Sequence, residues 1–174
     1  AFEIDKEIYE AWDGKEKGQK SQNTWEDLFE GYVEKHAEKS AELIRRMKCE
    51  LSDSWEGVIN QAITDEQSVS LESETRKSSQ KAITILANAM PELFGGSADL
   101  TGSNNTKGDG NRESQHINYG VREFAMTAIT NGMLLHGGFR PYSGTFLVFM
   151  EYARNAVRLA ALMKIPNIFV YTHD

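Results

Sequence analysis

The amino-acid sequence predicts an α/β protein in which a parallel sheet, incomplete in this chain, is covered by helices and preceded by a mostly helical connector. Residues 1–70 are rich in charged side chains, and their apolar residues recur at intervals of three and four, which is typical of amphipathic helices. After residue 70, helical patterns alternate with short apolar runs, and this alternation is typical of a sheet with covering helices. We therefore divide the chain into residues 1–70 and 71–174.

Two helical segments are predicted before residue 70. The first segment follows Thr24 and predicts one or two amphipathic helices, and we interpret Thr24 as an N-cap because acidic residues fill the next turn. A second, short helix is predicted after Ser52. The apolar positions of the two segments are Trp25, Leu28, Phe29, Tyr32, Val33, Leu43, Ile44 and Met47, then Trp55, Val58, Ile59 and Ile63. Their plain amphipathic pattern indicates a structural role.

The elements after residue 70 follow one another in a regular order. A helical pattern is stopped by Pro91, and "ELFGGSADL" predicts a short strand that leads into a glycine turn. The Gly/Asn-rich stretch "TGSNNTKGDGNRESQH" predicts a polar loop. The remaining predictions are an apolar helix from Val121, a strand and turn in "FRPYSGTF", a helix in "FLVFMEYARNAVRLAALMK" and a buried strand in "NIFVYTHD". Three or so strands make a thin sheet, and Asp174 follows a strand directly, so we expect a segment of a longer protein.

Composition and charge argue against several classes of partner. The chain has 174 residues, a formal net charge of -7 and no basic stripe, which disfavours a nucleic-acid partner. No apolar run approaches the roughly 20 residues that a membrane-spanning helix needs, so no membrane partner is expected. Cys49 is the only cysteine, which excludes an intrachain disulfide and a CxxC metal site. This fits a reducing compartment, and we expect a cytoplasmic protein.

Glu123 stands at the start of the predicted apolar helix, next to Arg122 and among residues that look buried. One interpretation is electrostatic, because a negative charge in the first turn suits the positive end of the helix dipole. The other interpretation is functional, because a helix start that faces a ligand is a good place to hold a working carboxylate. The residues alone leave both open.

Polar groups follow the predicted strands at the ends where open α/β sheets bind ligands. "GGSADLTGSN" carries Asp99 and Ser103, which predict either a site or an ordinary turn whose side chains bond backbone amides. Arg76, beside a helix start, either pairs with an anion or is simply exposed. His173 and Asp174 lack further metal ligands by spacing, so no metal site is predicted in this chain.

Three aromatic residues, Phe146, Phe149 and Tyr152, recur at three-residue steps. On a helix this spacing places them roughly along one face. Such a stripe more often packs in a core than lines a ligand pocket.

Four segments together resemble the pyrimidine-binding domain of the transketolase family. They are "GGSADLTGSN", "YGVREFAMTAITNGMLLHGGF", "PYSGTFLVFMEYARNAVRLAALM" and "VYTHD", in family order and at near-family spacing. "EIYEAWDGKEKGQ" and "RRMKCE" resemble the end of the preceding diphosphate-binding domain and the connector. The resemblance covers essentially the whole chain. It implies a thiamine-diphosphate-binding fold, with residues 1–70 as the end of the diphosphate-binding domain and connector, and residues 71–174 as a truncated pyrimidine-binding domain.

The resemblance also implies an activity and partners. Members of the family are homodimers that transfer a two-carbon ketol unit from a ketose phosphate to an aldose phosphate, in the pentose phosphate pathway. Thiamine diphosphate lies between the pyrimidine-binding domain of one subunit and the diphosphate-binding domain of the other. A divalent metal, Mg²⁺ or Ca²⁺, is expected in the upstream domain, outside this chain. By itself, the segment is expected to be inactive.

The resemblance assigns roles to residues by matching position. Glu123 is implied to be catalytic, because it matches the glutamate that hydrogen-bonds a ring nitrogen of the cofactor's aminopyrimidine and shares a proton there. The implied cofactor pocket adds Asp99 near the thiazolium, and Phe146, Phe149 and Tyr152 around the pyrimidine. Arg76, Ser103 and His173 match groups that bind substrate phosphate. Gly102 departs from the family's usual Pro, and the loop 104–116 is short, which puts the conformation of this loop in question.

Two alternatives to a transketolase stay open. The first is another thiamine enzyme of the same fold that uses a different acceptor; the deoxyxylulose-phosphate synthases share the fold and the helix-start glutamate. The second is a non-catalytic subunit or interaction domain that has kept the scaffold.

Overall fold

The computed structural model describes residues 3–68, 72–109 and 112–174. The chain forms two compact units, residues 1–44 and residues 45–174. The predicted boundary between residues 70 and 71 lies outside the described residues, so the predicted domain division stays a prediction. No helix in the described part of the chain is both long enough and apolar enough to cross a membrane.

The first unit is helical. It contains α1 (Lys6–Trp12), α2 (Lys15–Lys35) and most of α3 (Ala37–Met47). The predicted N-cap at Thr24 is wrong, because α2 begins nine residues earlier in the chain, at Lys15. The Thr24 hydroxyl instead donates a hydrogen bond to the Lys20 carbonyl oxygen at 2.9 Å, which accommodates a threonine inside a helix.

In the second unit, two helices precede the sheet. These are α4 (Trp55–Ser68) and α5 (Thr75–Ala89), and both confirm helices predicted from the apolar periodicity. The α5 helix ends just before Pro91, as predicted. Ile83 and Ala87 of α5 pack with Met90, Leu93 and Tyr142 in the larger buried cluster of the unit.

The sheet has four parallel strands in the order β2-β1-β3-β4. The strands are β1 (Leu93–Ser97), β2 (His116–Asn118), β3 (Arg140–Phe146) and β4 (Ile168–Thr172). Ser97 at the end of β1 pairs with Asn118 and Gly144, and Phe146 at the end of β3 pairs with Thr172. The carboxyl ends of all four strands therefore meet at one edge, and the predicted parallel α/β sheet is confirmed.

The region around the first strand differs from the prediction in two ways. Gly95 and Gly96 lie inside β1 and not in a turn. A Cβ atom at either glycine would overlap a backbone oxygen of the neighbouring strands, from Tyr142 or Ile117, so close strand approach requires glycine there. The predicted polar loop contains the short helix α6 (Thr101–Asn104) and leads into β2, a strand that was not predicted.

Helix α7 (Glu123–His136) packs on β3, and helix α8 (Met150–Met163) packs on α7. The buried face of α8 consists of small residues, Ala153, Ala156 and Ala160, which allow close packing. The predicted helix in "FLVFMEYARNAVRLAALMK" starts later than expected. Phe146 ends β3, a single 3₁₀ turn covers Leu147–Phe149, and only then does α8 begin.

Candidate active site

The carboxyl edge of the sheet gathers the residues that the sequence singled out. Asp99 follows β1, Glu123 follows β2, Phe146 ends β3, and His173 follows β4. Four segments far apart in the sequence therefore deliver side chains to the edge where parallel sheets bind ligands. Two further candidates come from helices near this edge, Arg76 from the first turn of α5 and Ser103 from α6.

Glu123 is the first residue of α7, and its side chain is buried, with 8% of its surface exposed. The chain reaches this helix through Gly120, whose φ of 69° lies in the left-handed region. Arg122 does not pair with Glu123; its guanidinium donates to the Tyr119 carbonyl oxygen. Within the part of the chain that the structure describes, the Glu123 carboxylate has no hydrogen-bond or ion-pair partner. The side chain also lies at the positive end of the α7 dipole, because Glu123 is the first residue of that helix.

Tyr119 packs beneath this helix start, with Ala98 and Met126. Its hydroxyl is buried and has no hydrogen-bond partner in the described residues. Burial, helped by the neighbouring Tyr142, raises the pKa of Tyr119 well above its usual range. Tyr119 is therefore a neutral phenol at physiological pH, and it adds no charge near Glu123.

Asp99 is exposed just after β1, with a φ of 62°. Aspartate is one of the few non-glycine residues that tolerate this left-handed conformation. The Ser97 hydroxyl shapes the turn, because it accepts a hydrogen bond from the Leu100 backbone N–H at 3.1 Å and lies 3.1 Å from the Thr101 hydroxyl. The Asp99 side chain takes no part in these contacts and is available to a ligand.

The three aromatic residues do touch, although they do not share one helix. The ring centroids of Phe146 and Phe149 are 5.8 Å apart, and those of Phe149 and Tyr152 are 6.0 Å apart. Phe146 and Phe149 are half-buried, while Tyr152 is 68% exposed. The strand end, the 3₁₀ turn and α8 therefore form one aromatic surface that is open on one side.

The structure brings two of the three predicted phosphate ligands, Arg76 and His173, into one cavity. Arg76 and His173 line the same cavity, of about 350 Å³, with Glu74, Thr75 and Asp174. One terminal guanidinium nitrogen of Arg76 lies 3.4 Å from the Ser103 carbonyl oxygen, which places α6 beside the cavity. Glu74 was missed by the sequence reasoning, and its position two residues before Arg76 was the available signal.

Asn104 was also missed, and it ties α6 to the end of β4, next to this cavity. Its side chain is fully buried, and its amide nitrogen donates to the Thr172 hydroxyl at 2.5 Å. The bond joins α6, which carries Ser103, to the end of β4, immediately before His173. A single buried side chain near the start of a predicted polar loop gives no periodic signal in the sequence.

We predict that Asn104→Ala lowers the free energy of unfolding by about 1–3 kcal/mol, because it leaves the buried Thr172 hydroxyl unpaired. Urea unfolding of the chain measures this loss. Asn88→Ala is the matched control, since Asn88 lies exposed on α5 and should change stability by no more than about 0.5 kcal/mol. A loss for Asn104→Ala as small as that of the control would contradict the prediction.

Among residues 3–68, 72–109 and 112–174, no group of three or more His, Cys, Asp or Glu side chains is placed to hold a metal ion. His173 instead bonds its own neighbour, with Nδ1 at 2.7 Å from the Asp174 carbonyl oxygen. The Asp174 carboxylate accepts a hydrogen bond from the Val148 backbone N–H at 3.3 Å.

Comparison with protein families gives two matches. Residues 72–174 match the family model described as "Transketolase, pyrimidine binding domain", and residues 1–52 match "Transketolase, thiamine diphosphate binding domain". The chain is 49% identical to transketolase 1 of Vibrio parahaemolyticus over 181 aligned residues, which include all of this chain and 27% of that protein. It is also 49% identical to transketolase 2 of Escherichia coli, over 99% of this chain and 27% of that protein. The chain thus spans about 27% of the length of these curated relatives.

Solved structures give the same result. A Pichia stipitis transketolase in complex with sedoheptulose-7-phosphate superimposes with a TM-score of 0.83 and 35% identity, over all of this chain and 27% of that one. Transketolase from Leishmania mexicana gives a TM-score of 0.79 and 35% identity, over 99% of this chain and 26% of that one. The predicted thiamine-diphosphate-binding fold is confirmed. The chain belongs to the transketolase family.

Proposed function

We propose that this chain is a segment of an enzyme that transfers a two-carbon ketol unit from a ketose phosphate to an aldose phosphate, with thiamine diphosphate as cofactor, in the pentose phosphate pathway. The observation that carries this proposal is Glu123, a buried carboxylate without a partner in the described residues, at the head of the helix that faces the ligand-binding edge. An ionisable side chain that is mostly buried, has no protein partner and starts a helix at a ligand-binding edge is a candidate functional group.

The residues at the sheet edge suit the cofactor. Glu123 would hold a proton between its carboxylate and a ring nitrogen of the aminopyrimidine, and Phe146, Phe149 and Tyr152 would flank that ring. Asp99 would lie near the positively charged thiazolium, which a carboxylate favours. The bound cofactor would supply the carbon nucleophile that carries the ketol unit. Glu123 would act by general acid–base catalysis, a contribution typically of about 10²–10⁴-fold.

Substrate phosphate would bind in the cavity that Arg76 and His173 share, with Ser103 at its side. A guanidinium fork, an imidazole and a hydroxyl are groups that bind phosphate oxygens well. Arg76 offers the fork from the first turn of α5. The similar Pichia stipitis transketolase was solved in complex with sedoheptulose-7-phosphate, a ketose phosphate, and this likeness supports the same substrate class here.

A second copy of the protein is the proposed partner. Large apolar side chains are exposed on the segments that carry the candidate site residues, namely Phe124 on α7, Leu147 and Val148 in the 3₁₀ turn, and Tyr152 on α8. Exposed apolar clusters of this kind mark interaction surfaces. A homodimer would cover them and would close the open side of the aromatic surface.

The remaining parts of the proposal concern the rest of the protein. A divalent metal, Mg²⁺ or Ca²⁺, is assigned to the diphosphate-binding domain upstream of this segment, and the enzyme is assigned to the cytoplasm. We also propose residues 1–70 as the end of the diphosphate-binding domain and connector, and residues 71–174 as the pyrimidine-binding domain. The spans of the two family matches, 1–52 and 72–174, support this division.

Ketol transfer by the purified transketolase that contains this segment tests the proposal. With thiamine diphosphate and Mg²⁺, we expect transfer from a ketose phosphate to an aldose phosphate, and sedimentation as a dimer. The 174-residue chain alone is expected to show no transfer, because it spans only about 27% of the relatives it matches. Transfer to a non-sugar acceptor only would favour another thiamine enzyme, and no transfer would favour a non-catalytic subunit.

A further inference from the structure

Glu74 lies in the cavity assigned above to substrate phosphate, directly before α5. Its carboxylate makes two ion pairs with cations of the first turn of that helix. Oε2 lies 2.9 Å from Nε of Arg76, and Oε1 lies 3.6 Å from Nζ of Lys77. All three side chains are partly exposed, so these contacts form at the mouth of the cavity.

The contact with Arg76 uses a donor that a phosphate would need. A guanidinium binds an oxyanion most strongly through two parallel N–H groups. In this structure, Nε of Arg76 donates to Glu74, and one terminal nitrogen lies 3.4 Å from the Ser103 carbonyl oxygen. A phosphate that takes the Nε side of the fork must therefore displace the Glu74 carboxylate.

The negative charge of Glu74 also opposes phosphate binding in the cavity. The hydrogen bond from Arg76, followed by the positive charge of Lys77, holds the pKa of Glu74 below its usual range, so the carboxylate is ionised at neutral pH. A phosphate in the cavity would then face this negative charge. The other carboxylate that lines the cavity, Asp174, is held by the Val148 backbone N–H and has no contact with Arg76 in the described residues.

We propose that Glu74 competes with the substrate phosphate for Arg76, and that it thereby weakens the binding of phosphorylated sugars relative to unphosphorylated ones. This inference rests on the proposed function, because it takes the cavity to be the phosphate site. Glu74 would set how strongly the enzyme depends on the phosphate group of its substrate.

Glu74→Gln in the transketolase that contains this segment tests the inference. The variant keeps the shape of the side chain and removes its charge. We expect the KM for a ketose phosphate, and the inhibition constant of inorganic phosphate, to fall by about three-fold, in the range set by exposed ion pairs. The KM for an unphosphorylated ketose donor should not change. Glu72→Gln is the control, because this substitution changes the net charge by the same amount. Glu72 is exposed and has no contact with Arg76 in the described residues.

Arg76→Gln separates failure of this inference from failure of the proposed function. If Arg76→Gln raises the KM for the ketose phosphate while Glu74→Gln leaves it unchanged or raises it, the phosphate site stands and the competition is overturned. In that case Glu74 would position the guanidinium instead. If Arg76→Gln leaves the KM for the ketose phosphate unchanged, both the phosphate assignment and the inference are overturned.

Discussion

Glu123→Gln is expected to lower kcat for ketol transfer by about 10²–10⁴-fold in the transketolase that contains this segment, which is the contribution typical of a positioned proton-sharing group. Glutamine preserves the size of the side chain and its place at the start of α7, but it cannot share a carboxyl proton with a ring nitrogen. The substitution therefore removes the proposed proton transfer and leaves the helix start in place. Steady-state kinetics at saturating thiamine diphosphate measure the effect.

A stability measurement on the same variant distinguishes the two interpretations of Glu123. If the carboxylate served the helix dipole, its loss would cost up to about 1 kcal/mol of unfolding free energy and would leave activity largely intact. If it serves the cofactor, stability should stay equal or rise, because residues kept for function are often not the ones that maximise stability. Glu56→Gln is the matched control, since Glu56 is an exposed first-turn carboxylate on α4 and should change neither kcat nor stability by much. Near wild-type activity for Glu123→Gln would show that the catalytic assignment is wrong.

The fold class could be predicted because its main elements carry periodic patterns. Helices α4, α5 and α7 and strand β4 each contain several apolar residues, at a spacing or in a run typical of their own secondary structure. Strand β2 could not be found in this way, because His116–Asn118 is too short to show alternation. Its pairing with β1, from Gly95 opposite His116 to Ser97 opposite Asn118, makes it a strand. That contact is tertiary, and no local pattern encodes it.

The sequence pattern predicted at which edge of the sheet the candidate site would lie, but it predicted few of the contacts between side chains there. Polar groups after β1 and β4 indicated the carboxyl edge of the sheet, while the roles of individual residues came from the family resemblance. Tyr152 illustrates the limit of pattern reasoning. Its spacing from Phe149 favours a packed core, yet it is exposed beside a half-buried ring, because the chain changes from strand to 3₁₀ turn to helix at this point.

The ion pair between Arg45 and Glu92 is a second site where a single change should have a large effect, here on stability. A terminal guanidinium nitrogen of Arg45 lies 2.9 Å from Oε1 of Glu92, and the two side chains are 17% and 3% exposed. Glu92 immediately precedes β1, and its carbonyl oxygen accepts a hydrogen bond from the Arg140 backbone N–H at 2.9 Å, at the start of β3. The pair therefore anchors the first residue of the second compact unit to the point where its two central strands begin.

Arg45→Met is expected to lower the free energy of unfolding by about 3–5 kcal/mol, because it leaves the Glu92 carboxylate buried without its cation. Adding Glu92→Leu to Arg45→Met should recover most of this loss, since an apolar pair of similar volume has no charge to desolvate. Lys81→Met serves as the control for an exposed pair. Nζ of Lys81 lies 3.3 Å from Oε1 of Glu66, with both side chains about half exposed, and its loss should cost less than about 1 kcal/mol. Urea unfolding of the chain measures all three variants. A cost for Arg45→Met no larger than that for Lys81→Met would show that water reaches the Glu92 carboxylate, and that the pair is not the anchor of the two strands.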